Sequence, residues 1–461
     1  MHTGSDRPRL PAADIARIRA EIAGTVLTPD DAGFEDARAV FLGDVDLRPA
    51  VIVRVADAPD AARVVQVARE TGHALAVRSG GHSGGLCLAE GGIVLDVRGL
   101  DRLEIDAGTR TAWAGTGLTA GAFTIRAAER GLAVGFGDTA SVGVGGITLG
   151  GGVGYLSRLH GLTIDSLLAA EIVTADGRIR LVDAENEPDL FWAVRGAGAN
   201  VGVATRLLFR LHDLPSVYGG MLVLPATAEV LEAFVAALDA APDELTAIAN
   251  VMPCPPMPFV PAEHHGRVVI LSNVVYAGDA AAGERALAPL RALATPLADL
   301  VRPMAYPEMY PPADPGYRPA AVIRNLFMDH IGEAEARTVL DGIVASDAPM
   351  RVAQIRVLGG AVDRIPADAT AYAHRGRRIM VQLAAFYAGE ADRASRQVWV
   401  DSLGADLAQG APAAYVNFLG DEGEARVRAA YPGATWDRIA ETKRRHDPTN
   451  LFRRNQNVPP A

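Results

Sequence analysis

The residues Arg78-Ser79-Gly80-Gly81-His82-Ser83 put a cation, two hydroxyls and an imidazole around two adjacent glycines. They follow an alternating apolar segment, Ala74-Leu75-Ala76-Val77, which reads as a strand. Adjacent glycines permit a backbone turn that residues with a Cβ resist. Such a turn can aim successive N–H groups at an anion, with Arg78 and the Ser79 hydroxyl beside it. That is the chemistry of a pyrophosphate cradle. Phosphate loops have little use for an imidazole, so His82 points to a second task, such as a covalent bond to a cofactor.

A second block runs Asp138-Thr139-Ala140-Ser141-Val142-Gly143-Val144-Gly145-Gly146, then Gly150-Gly151-Gly152-Val153-Gly154-Tyr155. Glycine is costly in regular structure, so this density implies main chain lying flush against something flat or anionic. A tightly packed crossing of core strands fits the block on its own. Beside the 78–83 turn, a bound cofactor is the better reading. No GxGxxG follows a strand with an acidic ribose-binding residue in the Rossmann manner. A third group lies further on. If 414–419 is a strand, Tyr415 and Asn417 share one face and Val416 and Phe418 the other. The same alternation puts Gln354 and Arg356 together, opposite Ala353, Ile355 and Val357. Two such polar pairs on core strands are costly unless they line a wet or occupied cavity.

The elements that must position these groups are legible in outline, as an α+β chain. A helix over 57–70 lies between strands at 50–55 and 74–77, a βαβ unit. Strands at 92–97, 102–105 and 111–115, a helix over 119–130, and strands at 169–174 and 179–182 complete a first domain, 1–215 with its core about 45–215. Over 216–419, strands at 220–224, 247–252, 268–275, 351–358, 378–386 and 414–419 alternate with helices at 228–240, 281–293, 331–346 and 390–407. That pattern predicts a largely antiparallel sheet with helices on one face. The segment 420–461 reads as a short helix and a polar, basic tail returning to the first domain.

With 461 residues, the chain is long enough for two domains, each with a real core. Its net charge of −11 argues against a nucleic-acid partner. Two cysteines, Cys87 and Cys254, build no disulfide framework and suit a reducing compartment. Residues 1–23 lack the apolar core of a secretory signal. The uncharged run 140–156 holds seven glycines and falls short of the ~20 apolar residues of a membrane span. The expectation is a cytoplasmic monomer or homodimer with no membrane partner. No metal is expected, because His264-His265 has no further ligands at zinc spacing.

Taken together, the 78–83 turn, the 142–155 block, Leu190-Phe191-Trp192-Ala193-Val194-Arg195-Gly196-Ala197-Gly198, Gly359-Gly360-Ala361-Val362 with His374-Arg375, and Tyr415-Val416-Asn417-Phe418 carry a resemblance. The chain resembles the flavin-dependent oxidases of the berberine bridge enzyme and 6-hydroxy-D-nicotine oxidase type, in the vanillyl-alcohol-oxidase superfamily, over nearly its whole length. The resemblance implies a PCMH-type FAD-binding domain of two α+β subdomains and a substrate domain whose sheet covers the isoalloxazine. It assigns to FAD the residues Arg78, Ser79, Gly80, Gly81, His82, Ser83, Thr139, Val142, Gly145, Gly146, Gly150, Gly152, Gly154, Tyr155 and Ile172. His82 matches the histidine that carries the flavin through its 8α-methyl group. Many relatives make a second bond through a cysteine where this chain has Thr139, so one covalent bond is expected. Some relatives carry a histidine where this chain has Ile147. Val142 matches a position where valine goes with oxidase activity.

The resemblance also implies Tyr415 as general base, and the two polar pairs read from strand alternation complete an expected catalytic set of Tyr415, Gln354, Arg356 and Asn417. A free tyrosine has a pKa of about 10 and needs a nearby cation, such as Arg356, or the oxidised flavin to lower it. The other reading of Tyr415 is a hydrogen bond to Asn417 or substrate. The implied reaction moves a hydride from an alcohol-type carbon of a sugar, secondary alcohol or natural product to FAD, with O2 reduced to H2O2; a CH–NH donor is the other substrate type it allows. A dehydrogenase using another acceptor and a non-catalytic flavin-bearing binding or resistance protein remain as alternatives.

Overall fold

Local chemistry starts the first crossover. In the computed structural model, Asp57 accepts the Asp60 amide at the head of the helix Ala58–Thr71, Pro59 occupies its first turn, and Gly72 ends it in the left-handed conformation. The flanking strands Val51–Arg54 and Leu75–Arg78 both pair in parallel with Ile93–Asp96. Thr25–Leu27 adds an antiparallel edge to this four-stranded sheet. A second, five-stranded antiparallel sheet runs Leu103–Asp106, Thr111–Gly115, Val203–Arg210, Leu167–Val173, Ile179–Asp183. Each sheet has its own core, around Val51, Val65 and Ile93 in one and Phe123, Phe136 and Phe209 in the other. The strand Val203–Arg210, the middle of that sheet, had no counterpart in the sequence reading.

The structure describes residues 10–311, 314 and 316–461. The first nine residues of the N-terminal segment, and Pro312, Ala313 and Pro315, lie outside them.

The large sheet is antiparallel throughout, ordered Ala298–Asp299, Val217–Pro225, Val268–Tyr276, Leu245–Pro253, Arg351–Val357, Ile379–Phe386, Ala321–Met328. Helices Ala228–Asp239, Ala280–Arg291, Glu333–Ala345 and Glu390–Asp406 supply Leu231, Phe234, Leu287, Val339 and Val400 to a core shared with Ala353, Ile355 and Val357. Register sets the opposite face. Asn250 pairs with Gln354, Gln354 with Gln382, and Gln382 with Asn325, so four amides stand in one row across four strands.

Two expectations fail here. Ala321–Met328 forms an edge strand where the sequence reading had none. The segment 414–419 is not a strand; Val416–Phe418 is a single 3-10 turn. Its backbone finds a side chain instead of a ladder, with the Tyr415 amide donating to Asn325 Oδ1 at 2.7 Å. A short run of alternating residues fits period two whether or not a neighbouring strand exists to pair with it. The tail holds two helices rather than one, Glu424–Ala430 and Ala434–His446. Their Val427, Tyr431, Trp436 and Ile439 share a core with Phe191 and Trp192. Among the described residues no helix is long and apolar enough to cross a membrane.

Buried charge pins the large sheet's connections to the glycine-rich half. Arg375 holds Asp165 through two bonds of 2.6 and 2.7 Å, and the two side chains are 1% and 6% exposed. Arg158 donates to the carbonyls of Leu358 and Ala241 at 2.5 and 2.8 Å. Removing one partner of such a pair strands the other charge in a low-dielectric interior. Arg375→Met is therefore expected to lower stability by about 3–5 kcal/mol in urea unfolding. A loss below about 1 kcal/mol would rank the pair with exposed ion pairs.

Candidate functional site

The strand Leu75–Arg78 runs into a turn in which Gly81 and Gly84 adopt left-handed conformations, with φ of 77° and 58°. Among the described residues, the backbone N–H groups of Gly80, Gly81, His82, Ser83 and Gly84 donate to no protein acceptor. A succession of free amides in such a turn is an anion-binding nest. The side chains expected beside it are occupied elsewhere. The Arg78 guanidinium is buried and donates to the carbonyls of Ala37 and Ala39. Its Nε and Nη2 lie against Gly81, each 3.4 Å from where a Cβ on that residue would stand. The Ser79 hydroxyl donates to the Thr116 carbonyl at 2.6 Å. What the turn offers an anion is a run of main-chain N–H groups, with the Arg78 guanidinium packed against Gly81.

The two glycine motifs meet backbone to backbone. A Cβ on Gly80 would strike the Gly143 nitrogen, and one on Gly143 would strike the Ser79 hydroxyl. The contact brings His82 to the second motif, where its Nε2 lies 3.0 Å from Ser141 Oγ. Phe41 stacks on the imidazole at 4.3 Å and 20°. Burial pushes the His82 pKa down to about 4, against the opposing Asp138 charge and the Ser141 backbone. The ring is neutral at physiological pH, as a nucleophile must be.

Most glycines of the second motif serve packing. A Cβ at Gly145, Gly150, Gly152 or Gly154 would run into Thr116, Asn417, Thr163 or Gly137 respectively. Gly146 differs: it is exposed, and a Cβ there would meet nothing within 4 Å. Thr139 and Val142 are half-buried. The Thr139 hydroxyl donates to Asp138 Oδ1 at 3.1 Å. Two residues of the expected cofactor set are sealed. Tyr155 is 1% exposed and packs edge-on against Tyr310. The Ile172 side chain is fully buried in the five-stranded sheet's core, because it sits on an inward-facing position of a central strand.

The expected catalytic residues divide into three places. The Tyr415 hydroxyl accepts hydrogen bonds from the Gly152 amide and Asn417 Nδ2, both at 2.8 Å, and the residue is 2% exposed. Burial holds its pKa above the ordinary tyrosine value, outweighing those two bonds and the Arg356 charge. The lowered pKa expected from Arg356 is thus reversed. Gln354 donates to Asn250 Oδ1 at 2.9 Å, inside the amide row. Arg356, 3% exposed, donates through Nη2 to Asp138 Oδ2 at 2.6 Å, and its guanidinium lies 4.9 Å from the centre of the Phe418 ring. Its Nε and Nη1 have no partner among the described residues.

Sequence reasoning missed three participants: Asp138, Ser141 and Phe41. Asp138 had a signal, being the one charged residue in the second motif. Phe41 had none, since it arrives from a separate segment that hydrogen-bonds Gly81 at 3.0 Å. The arrangement fits a cofactor with an anionic pyrophosphate and a flat ring: a main-chain nest, an uncovered glycine and a neutral imidazole lie together.

Known proteins agree with that fit. Residues 49–183 match the family model described as FAD binding domain, and residues 414–459 that described as berberine and berberine like. The (R)-6-hydroxynicotine oxidase of Paenarthrobacter nicotinovorans is 31% identical over 456 residues, covering 95% of this chain and 97% of the relative. The crystal structure of 6-hydroxy-D-nicotine oxidase from Arthrobacter nicotinovorans matches with a TM-score of 0.84 at 27% identity, over 95% of this chain and 98% of that one. A xylooligosaccharide oxidase from Myceliophthora thermophila, solved with xylobiose, has the same fold, with a TM-score of 0.84 at 23% identity over 97% and 99% of the two chains. The chain is an FAD-linked oxidoreductase and belongs to the berberine bridge enzyme and 6-hydroxynicotine oxidase family.

Proposed function

We propose that this enzyme is an oxidase that carries FAD through one covalent bond from His82 and oxidises an alcohol-type carbon of a small, oxygen-bearing substrate. The observation that carries the proposal is the run of amides at 80–84 that meet no acceptor among the described residues, with a neutral, half-buried imidazole in its midst. Bound FAD would accept a hydride at N5 and hand the two electrons to dioxygen as hydrogen peroxide. Thr139 offers a hydroxyl where a second bond would need a thiol, which supports a single tether. Val142, half-buried beside the motif contact, supports dioxygen as the acceptor by keeping a small apolar side chain there.

In this reading the amide row of Asn250, Gln354 and Gln382 orients substrate oxygens. Tyr415 takes the substrate proton. The donors on its oxygen, the Gly152 amide and Asn417, steady the phenolate, and the Arg356 charge assists from the neighbouring sheet. Burial opposes all three, so the base is fully formed only in alkaline solution.

Purified protein is expected to be yellow, to keep its colour in the pellet after acid precipitation, and to form peroxide with one of a panel of sugars, secondary alcohols and hydroxylated heterocycles. Colour released to the supernatant would remove the covalent bond from the proposal. Gly146→Ala tests the cofactor surface. It is expected to melt like the parent, because the methyl meets no protein atom, yet to lose most of its flavin absorbance. With a substrate from the panel, Tyr415→Phe is expected to slow anaerobic flavin reduction by about 10²–10⁴-fold. In the parent that rate should still be climbing at a pH of about 10, since only the phenolate accepts a proton. An unchanged rate in Tyr415→Phe would leave the residue a packing role.

A further inference from the structure

We infer that Ser141 is a positioning residue for cofactor attachment: it engages Nε2 of His82 and so leaves Nδ1 as the nitrogen that bonds the flavin's 8-methyl carbon. The inference rests on the covalent reading above and adds the residue that selects between the two ring nitrogens.

A neutral imidazole has one N–H and one lone pair, on different nitrogens. Only the nitrogen with the lone pair can attack carbon. The Nε2 of His82 lies 3.0 Å from Ser141 Oγ, the one polar side-chain partner of either residue among the described residues. With Nε2–H donating to that hydroxyl, the lone pair is on Nδ1. Three further contacts hold the pair in place. Phe41 stacks on the ring at 4.3 Å, and its own amide is tied to the Gly81 carbonyl at 3.0 Å. The Ser141 carbonyl lies against Gly80, where a Cβ would approach it to 2.9 Å, so the backbone under the hydroxyl is fixed by the motif contact. The Asp138 carboxylate, in turn, is held by Arg356 and Thr139 rather than by the imidazole, so it leaves the Ser141 contact undisturbed.

Attachment balances as follows. The bond forms between Nδ1 and the 8-methyl carbon. One methyl hydrogen and the imidazole N–H leave as protons, and the two electrons freed pass to the flavin ring. Dioxygen takes both electrons and both protons as hydrogen peroxide, so the tethered flavin ends oxidised. Ser141 accepts a hydrogen bond from the N–H that is lost and keeps the attacking nitrogen aimed.

The test has two independent parts. First, the aminoacyl flavin released by hydrolysis of the parent holoprotein is identified by chromatography against the Nδ1 and Nε2 isomers. The Nδ1 isomer is expected, and the Nε2 isomer would overturn the inference. Second, Ser141→Ala and Ser141→Thr are purified at the same time after induction, and the FAD retained by the acid-precipitated chain is compared with the FAD bound natively. Ser141→Ala is expected to bind FAD natively but to tether about tenfold less of it, with Ser141→Thr restoring the parent level. Complete tethering in Ser141→Ala would overturn the role of the hydroxyl. The first part needs no variant, so a Ser141→Ala chain that misfolds leaves it standing. A parent protein that releases all its flavin, as His82→Ala should, would sink the covalent reading itself and is recognised before either variant is made.

Discussion

The contact between Gly80 and Gly143 is the constraint on which the site depends. Two main-chain segments 63 residues apart touch with no room for a methyl group on either. Only glycine lets backbones approach so closely, and the cost in chain entropy is met by the packed sheets on either side. The contact has a chemical result. It sets the imidazole of His82 against Ser141 and near the charge of Asp138, all within a region that burial keeps free of positive charge on the ring.

A second layer of interactions joins that region to the large sheet. Arg356 reaches Asp138, Asn325 caps the Tyr415 amide, and Tyr415 and Asn417 press against the Gly150–Gly152 main chain. The Arg356–Asp138 and Tyr415–Gly152 bonds cross to the glycine-rich segment, and the Asn325 bond ties the sheet to the C-terminal turn. Buried polar groups of this kind are costly when only half satisfied. Most are satisfied here; among the described residues the exceptions in this layer are Asn325 Nδ2 and Arg356, with two donors unused. The sheet therefore does more than close over the glycine-rich half. It delivers a guanidinium and a row of amides to it.

The physical logic of the two faces explains why the sheet can do this. One face is a largely apolar layer under four helices, with Ser272 and Arg324 among its residues, and its burial stabilises the fold. The other face holds Asn250, Gln354, Gln382 and Arg356 at positions fixed by register, beside Ile248, Met380 and Phe327, which pack into smaller apolar clusters. A slip of one residue would exchange the two sets and bury the amides under the helices.

The amino-acid sequence determined the elements and the chemistry of the motifs. The βαβ opening, the helices over the large sheet and the alternation of Gln354 and Arg356 with Ala353, Ile355 and Val357 follow from periods of 3.6 and 2, which are local properties. The glycine pairs and His82 announced a turn suited to an anion and a reactive ring for the same reason. What each side chain faces was decided only by the tertiary structure. The Arg78 side chain, beside the turn, also ties down Ala37 and Ala39, while Tyr415 looked like a strand residue and instead opens a turn capped by Asn325. Asp138, Ser141 and Phe41 gained their roles from neighbours tens or hundreds of residues away. Local pattern carries no information about which distant group will satisfy a given donor, because that choice is made by the packing of whole sheets against one another.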